Sequence, residues 1–167
     1  MGTGGIFLRK LRAKVFERPT GFVWVEDARL AGSGYPASRS QLKWVSGKGI
    51  KTVVTLTESP LPPQWLEGLD LEVHHIPMKD HLPPGRESLD AAARTIQESL
   101  GRGKATLVHC LAGQGRTGCV LAAYLIRSRG IAAGEAIATL RSISPLFVEQ
   151  GQESSITEYG LVARSKQ

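Results

Sequence analysis

The chain has no long apolar segment and few cysteines or aromatic residues among its 167 residues. Its longest apolar run, residues 119–126, is far shorter than the roughly 20 residues of a membrane-spanning helix, so we predict no span. Two cysteines cannot form the disulfide framework of a small secreted domain, so we expect a reducing, cytoplasmic location. With 41% hydrophobic and 22% charged residues, the composition is that of a globular domain.

Acidic residues are outnumbered by basic ones, 15 to 21, which gives a formal net charge of +6. Much of the excess lies in residues 1–18, which contain five basic residues and one acidic residue. Such an arm is able to contact RNA or anionic lipid, although Phe7, Leu11 and Val15 favour an amphipathic segment that packs on the domain. We therefore predict a basic N-terminal segment (1–20), one domain (21–163) and a C-terminal tail (164–167).

Segments typical of strands and of helices alternate along the chain. Short β-branched or apolar runs predict strands near residues 22–25, 52–56, 71–76 and 105–108. Apolar residues spaced by three and four predict helices near residues 89–100, 116–129, 132–143 and 153–162, and Ser38 is suited to cap a further helix through Trp44. This order predicts an α/β fold with a central, mostly parallel sheet of about four to five strands flanked by helices.

The segment LVHCLAGQGRTG, residues 107–118, fits two phosphate-binding patterns. Gly113, Gly115 and Gly118 match the dinucleotide fingerprint G-x-G-x-x-G, which requires a strand before the motif and a second strand after its helix. The residues after the 116–129 helix have helical spacing instead, and more than one hundred residues precede the motif. The dinucleotide interpretation is therefore disfavoured.

The second pattern joins a cysteine nucleophile to a phosphate-binding loop between a central strand and a buried helix. Cys110 and Arg116 are separated by five residues, and Arg116 offers a planar fork for two phosphate oxygens. The positive end of the following helix points at the same place and favours the thiolate form of Cys110. We expect one phosphate group to be held by the backbone N–H groups of Leu111, Ala112, Gly113, Gln114, Gly115 and Arg116.

Two neighbours of this pattern are expected to assist it. The ring of His109 is placed to hydrogen-bond the loop backbone and fix its shape, rather than to act as a base. Thr117 is expected to donate its hydroxyl to the sulfur of Cys110 when that sulfur leaves. The other cysteine, Cys119, is expected to pack in the core, with a regulatory disulfide to Cys110 as the alternative.

A general acid is needed because an alkoxide or phenoxide is a poor leaving group. Asp80 in the proline-flanked loop IPMKDHLPP is the preferred candidate, and Asp70 and Asp90 are rivals. The adjacent His74 and His75 face opposite sides of a predicted strand, which is poor geometry for a metal site. We therefore expect neither a metal nor another cofactor.

The segment VHCLAGQGRTG resembles the signature of the cysteine-dependent protein tyrosine phosphatase superfamily. From about residue 21 to residue 159 the chain is similar to its compact dual-specificity and archaeal-type members, through LAGSGYP, VVTLTE, HIPMKD and GIAAGEAIATLRSISP. The resemblance implies that Asp80 is the general acid and that a late glutamine, Gln152 or Gln150, positions the hydrolytic water. Family members often have Arg-Pro-Gly where this chain has Ser-Pro-Leu at residues 144–146, which leaves both glutamines open.

Motif and resemblance together predict a phosphomonoester hydrolase that works through a phosphocysteine intermediate. Its expected partner is a protein phosphorylated on tyrosine, and also on serine or threonine, and its product is inorganic phosphate. Members of the family that act on polyphosphorylated inositides often have lysines between the cysteine and the arginine, and this chain has none between Cys110 and Arg116, so the resemblance disfavours such substrates. We expect no nucleic-acid partner. The alternatives are a non-catalytic phosphate-recognition module and a phosphatase for RNA 5′-phosphates, suggested by the basic segment, or for small metabolites.

Overall fold

A computed structural model describes residues 17–164. Residues 1–16 of the predicted basic segment and residues 165–167 of the predicted tail lie outside this range. Within it, every helix is too short or too polar to cross a bilayer.

The described residues form five strands and six helices that alternate as predicted. The strands are β1 (Val23–Glu26), β2 (Leu30–Ser33), β3 (Ile50–Thr55), β4 (Glu72–His75) and β5 (Ala105–His109). The helices are α1 (Arg39–Gly47), α2 (Pro63–Leu66), α3 (Arg86–Gly101), α4 (Gly115–Arg129), α5 (Ala133–Ile143) and α6 (Glu153–Arg164). The two long segments after the motif are both helices, which removes the second strand that a dinucleotide unit needs.

The strands form one sheet in the order β1-β2-β5-β3-β4. β2, β3, β4 and β5 pair in parallel, and β1 joins one edge as an antiparallel hairpin partner of β2. The expected mostly parallel sheet is thereby confirmed. Because β5 is the middle strand, the loop that follows it starts at the centre of the sheet's carboxyl edge, where open α/β folds bind ligands.

Side chains that alternate along the strands divide the core into two layers. Val53 on β3 and Leu107 on β5 pack with α1 and α2 on one face of the sheet. Their sequence neighbours Val54 and Val108 pack with the four longer helices on the other face. This alternation follows from the two-residue period of a strand and buries both faces of the sheet.

Helix α4 is the most buried helix of the fold. Every residue from Gly115 to Ile126 is buried, which agrees with its nearly continuous apolar sequence. The helix ends at Gly130, whose φ of 65° is left-handed and whose amide donates to the carbonyl of Ile126. The amino end of α4 is consequently held in a fixed position behind the carboxyl end of β5.

Candidate active site

The sulfur of Cys110 lies at the start of the loop between β5 and α4. Cys110 follows directly after β5 and is 3% exposed, and the N–H of Gly113 donates to its Sγ at 3.3 Å. Helix α4 begins at Gly115, five residues after Cys110. A backbone amide thus contacts the sulfur, and the loop leads directly into the positive end of a buried helix.

The turn after β2 fixes the shape of this loop. Gly113 has a φ of +75°, and a Cβ at this position would overlap the backbone of Ser33 and Gly34. The amide of Tyr35 donates to the carbonyl of Leu111 at 2.9 Å. Only glycine allows both the left-handed backbone and the close approach, so Gly113 lets the loop pack directly against the turn after β2.

His109 makes the predicted hydrogen bond to the loop backbone. Its Nδ1 lies 3.1 Å from the carbonyl oxygen of Cys110, and its Nε2 lies 2.9 Å from the hydroxyl of Thr55. A carbonyl only accepts, so Nδ1 donates and Nε2 accepts from Thr55 in the neutral ring. Burial is the main cause that lowers the pKa of His109 to about 4, which keeps the ring neutral at physiological pH.

Arg116 is brought together with Asp80, the preferred acid. The guanidinium is 3% exposed; its Nη1 donates to the carbonyl of Met78 at 3.0 Å, and its Nη2 lies 2.9 Å from Oδ1 of Asp80. Both contacts come from the loop between β4 and α3. That loop therefore lies over the candidate phosphate site, with the carboxylate of Asp80 bound to the arginine.

The two rival aspartates lie elsewhere. Asp70 is bound to Lys51 at 2.7 Å, and that contact lowers the pKa of its exposed carboxyl. Asp90 lies in α3 and pairs with Arg127 at 3.0 Å, near the carboxyl end of α4. Of the three candidates, Asp80 is the one that contacts the motif.

Gln152, rather than Gln150, lies against the loop. Its side chain is 4% exposed, and a Cβ built on Gly115 would lie 2.7 Å from its Oε1, whereas Gln150 is exposed. The thiol of Cys119 donates to the same Oε1 at 3.5 Å. The absence of a side chain at Gly115 is what allows this close approach of the amide.

A second carboxylate, that of Glu149, also approaches the amino end of α4, and no sequence motif indicated it. A Cβ on Gly115 would lie 2.9 Å from its Oε2. The preceding residue, Val148, has a φ of 63°, which is rare for a β-branched side chain, and a Cβ on Gly118 would overlap its backbone. Arg141 donates to the carbonyl of Val148 at 2.8 Å and holds this segment in place.

The hydrogen bond predicted from Thr117 concerns the step in which the sulfur of Cys110 leaves, and it stays a prediction. In this structure the Thr117 hydroxyl is buried and has no hydrogen-bond partner within residues 17–164. Its methyl group lies toward β2, where a Cβ on Gly32 would lie 3.2 Å from it.

Cys119 is a core residue, as expected. It is fully buried, and it and Cys110 are both free thiols. Burial first, and then the nearby charges of Cys110 and Glu149, raise the pKa of Cys119 to about 12. A thiol in this state is a poor nucleophile at neutral pH.

A cleft of about 300 Å³ opens beside Arg116 and Asp80. Its lining consists of Tyr35, Thr57, Glu58, Ser59, Asp80, Leu111 and Arg116. Glu58, which the sequence did not indicate, accepts the backbone N–H of Asp80 on Oε1 at 3.3 Å. A larger groove of about 760 Å³ lies around Asp90 and Arg127, and its lining includes none of the motif residues. The smaller cleft is therefore the candidate active site.

Comparison with known protein families gives a match over most of the chain. The family described as "PTP-SAK: Swiss Army Knife protein, DSP-PTPase phosphatase domain" matches residues 19–156. The chain is 31% identical over 116 residues to tyrosine-protein phosphatase cdcA of Emericella nidulans, covering 69% of this chain and 20% of the relative. It is 27% identical over 127 residues to phosphatidylglycerophosphate phosphatase PTPMT1 of Arabidopsis thaliana, covering 75% of this chain and 38% of the relative.

Solved structures show the same likeness over nearly their whole length. The crystal structure of Tk-PTP in the active form is 32% identical, with a TM-score of 0.76, and the match covers 84% of this chain and 96% of Tk-PTP. The structure of PTPMT1 in complex with PI(5)P has a TM-score of 0.76 at 18% identity, over 87% of this chain and 97% of that one, and shows a shared fold. The predicted resemblance is confirmed.

Proposed function

The chain belongs to the PTP-SAK family of DSP-PTPase phosphatase domains, and we propose on that basis that it hydrolyses phosphotyrosine monoesters through a phosphocysteine intermediate. Phosphoserine and phosphothreonine are further substrates of the same proposal. The reaction needs no cofactor, because the nucleophile, the phosphate-binding groups and the acid are all side chains or backbone amides of this chain.

In the proposed first step, Sγ of Cys110 attacks phosphorus and the bond to the leaving oxygen breaks. Arg116 and the loop amides hold the phosphoryl oxygens as negative charge builds on them. The phosphate takes the place of the Asp80 carboxylate on Arg116. The freed carboxylate takes up a proton from solvent, faces the leaving oxygen and passes that proton to it. The products of this step are the dephosphorylated tyrosine and phosphocysteine.

In the proposed second step, a water molecule attacks the phosphocysteine. Asp80, which has lost its proton to the leaving group, accepts a proton from that water, and the side-chain amide of Gln152 positions it. The bond between sulfur and phosphorus breaks, the sulfur leaves as a thiolate, and inorganic phosphate is released. His109 holds the carbonyl of Cys110 in a fixed direction through both steps.

One contact supports this proposal most directly, the hydrogen bond from the Gly113 amide to Sγ of Cys110. A cysteine that only filled space would not be expected in a loop before a helix whose first turn carries a buried arginine. A phosphate-binding module, in turn, would need the amides and Arg116 but not the sulfur. The combination of sulfur, amide and guanidinium favours nucleophilic catalysis over binding alone.

Hydrolysis of p-nitrophenyl phosphate by the parent chain and by Cys110→Ser tests the proposal. We expect the parent to turn over and the variant to lose turnover while it still binds inorganic phosphate. Cys119→Ser is the matched control, because it removes the buried thiol and leaves Cys110 in place. An acid quench with radiolabelled substrate should leave label on the parent and none on Cys110→Ser. Phosphate binding without turnover in the parent would instead favour the recognition module.

A lipid phosphate monoester is a second candidate substrate. The relative PTPMT1 is named a phosphatidylglycerophosphate phosphatase. Leu111 lies in the motif loop, lines the cleft and is 59% exposed, and Leu82, two residues after Asp80, is 51% exposed. Exposed apolar side chains at a phosphate cleft suit an acylated substrate. Rates on phosphatidylglycerophosphate vesicles and on a phosphotyrosine peptide, measured side by side, decide between the two.

A further inference from the structure

Building on the proposed phosphotyrosine activity, we propose that the active-site cleft selects phosphotyrosine flanked by lysine or arginine, and that Glu58 is the residue that sets this preference. Glu58 then acts as a specificity-determining residue for the peptide around the phosphate. It takes no part in the transfer itself.

The charges of the cleft lining do not balance. Glu58 and Asp80 are the two acidic residues, and Arg116 is the one cation among the described residues that line the cleft. Asp80 pairs with that cation at 2.9 Å. When phosphate displaces Asp80, Arg116 is neutralised by the substrate and Asp80 acts as the protonated acid, so the carboxylate of Glu58 stays uncompensated. A cationic substrate residue is the simplest group to balance it.

Tyr35 and Leu111 line the same cleft as Glu58. The backbones of these two residues are joined by the hydrogen bond from the Tyr35 amide to the Leu111 carbonyl. An aromatic ring and an exposed leucine suit the phenyl ring of phosphotyrosine. With the ring against these two residues, the residues that flank the phosphotyrosine come within reach of Glu58.

Glu58 is held near the cleft although it is exposed. Its Oε1 accepts the backbone N–H of Asp80, which ties it to the acid-bearing loop rather than leaving it free in solvent. Replacement by glutamine keeps an oxygen acceptor for that N–H and removes the negative charge. The variant Glu58→Gln therefore separates a charge effect from displacement of the Asp80 loop.

Two phosphotyrosine peptides of identical length, one with lysine and the other with glutamate on both sides of the phosphotyrosine, test the proposal. We expect kcat/KM of the parent chain to be roughly tenfold higher for the lysine peptide, since one charge pair in a partly exposed cleft changes a rate by about this factor. In Glu58→Gln the ratio should fall by about three- to fivefold, and in Glu58→Lys it should fall further. Salt at about 0.5 M should reduce the parent's ratio.

Glu67→Gln is the matched control, because Glu67 is an exposed glutamate outside the cleft lining and should leave the ratio as in the parent. Equal or higher kcat/KM on the glutamate peptide overturns the charge preference and leaves the phosphatase proposal standing. A clear lysine preference that persists unchanged in Glu58→Gln overturns the assignment to Glu58. If the parent hydrolyses neither peptide, the phosphotyrosine proposal fails, and this inference fails with it.

Discussion

Protonation of His109 links the stability of the fold to the geometry of the catalytic loop. Burial lowers the pKa of His109 to about 4, whereas the pKa of a histidine in an unfolded chain is about 6.5. Between these two values the unfolded chain takes up a proton that the folded chain does not, so the free energy of unfolding falls as the pH is lowered. A difference of 2.5 pKa units at about 1.4 kcal/mol per unit gives a loss of about 3 kcal/mol across this window.

The variant His109→Asn isolates this contribution. The Asn side-chain NH₂ group occupies nearly the place of Nδ1 and is able to keep donating to the Cys110 carbonyl, but it does not titrate. At pH 7 we expect the variant to be less stable by about 1–3 kcal/mol, because it loses the contact with Thr55 and leaves a small cavity. Its free energy of unfolding should then change less between pH 6.5 and pH 4 than that of the parent.

Denaturant unfolding of both proteins at closely spaced pH values measures the effect. Other groups titrate in the same range, and their contributions cancel in the difference between parent and variant. That difference should shrink by about 1.4 kcal/mol per pH unit as the pH falls through the window, and should be constant above about pH 7. Parallel pH profiles would refute the reasoning, because they would mean that His109 takes up its proton equally in the folded and unfolded chains.

Three further predictions concern the glycines, the acid and the cofactor. Gly113→Ala should lower the free energy of unfolding by about 3 kcal/mol in denaturant titrations. Gly130→Ala, at a similar φ but with no atom within 4 Å of the added Cβ, should lower it by about 1–2 kcal/mol. Equal losses would mean that the contact with the turn after β2 is unimportant. Asp80→Ala should slow turnover of phenyl phosphate about 100-fold or more and that of a substrate with a good leaving group about tenfold or less; an equal effect on both would place the acid elsewhere. Turnover measured with and without a chelator should be the same, and a loss that added metal restores would contradict a metal-free reaction.

The fold could be predicted because its signals are local. Ser38 caps α1 through a hydrogen bond that its side chain accepts from the amide of Gln41, as its position before an amphipathic segment indicated. The continuous apolar stretch after Arg116 became the buried helix α4 for the same reason. Only β2 was harder to recognise: its sequence contains Gly32 and Ser33, which favour a turn, and its strand geometry comes from pairing with β5.

The candidate site could be predicted only where one short motif contains it. Cys110 and Arg116 are six positions apart, so their meeting is a property of one turn between a strand and a helix. Glu58 contacts Asp80 across 22 positions, and Glu149 reaches Gly115 because Val148 adopts an unusual backbone conformation. Contacts of this kind depend on how two loops pack against each other, and the local sequence around Glu58 or Glu149 does not predict that packing.

The same dependence applies to Thr117. Its position beside the motif suggests a contact with sulfur during the reaction, whereas in this structure its methyl group lies near Gly32 on a neighbouring strand and its hydroxyl has no partner among the described residues. A threonine side chain offers either its methyl or its hydroxyl to a given neighbour. Sequence alone does not show which of the two neighbours is apolar.

Arg116 uses two of its five donor hydrogens on the loop above it, one on the carbonyl of Met78 and one on the carboxylate of Asp80. A phosphate that displaces Asp80 takes over one direction of this guanidinium, while the direction used by Met78 can stay in place. A lysine would carry the same charge but lacks donors held in fixed, separate directions. In the proposed reaction, arrival of the phosphate and release of the Asp80 side chain are thus linked through the planar shape of Arg116.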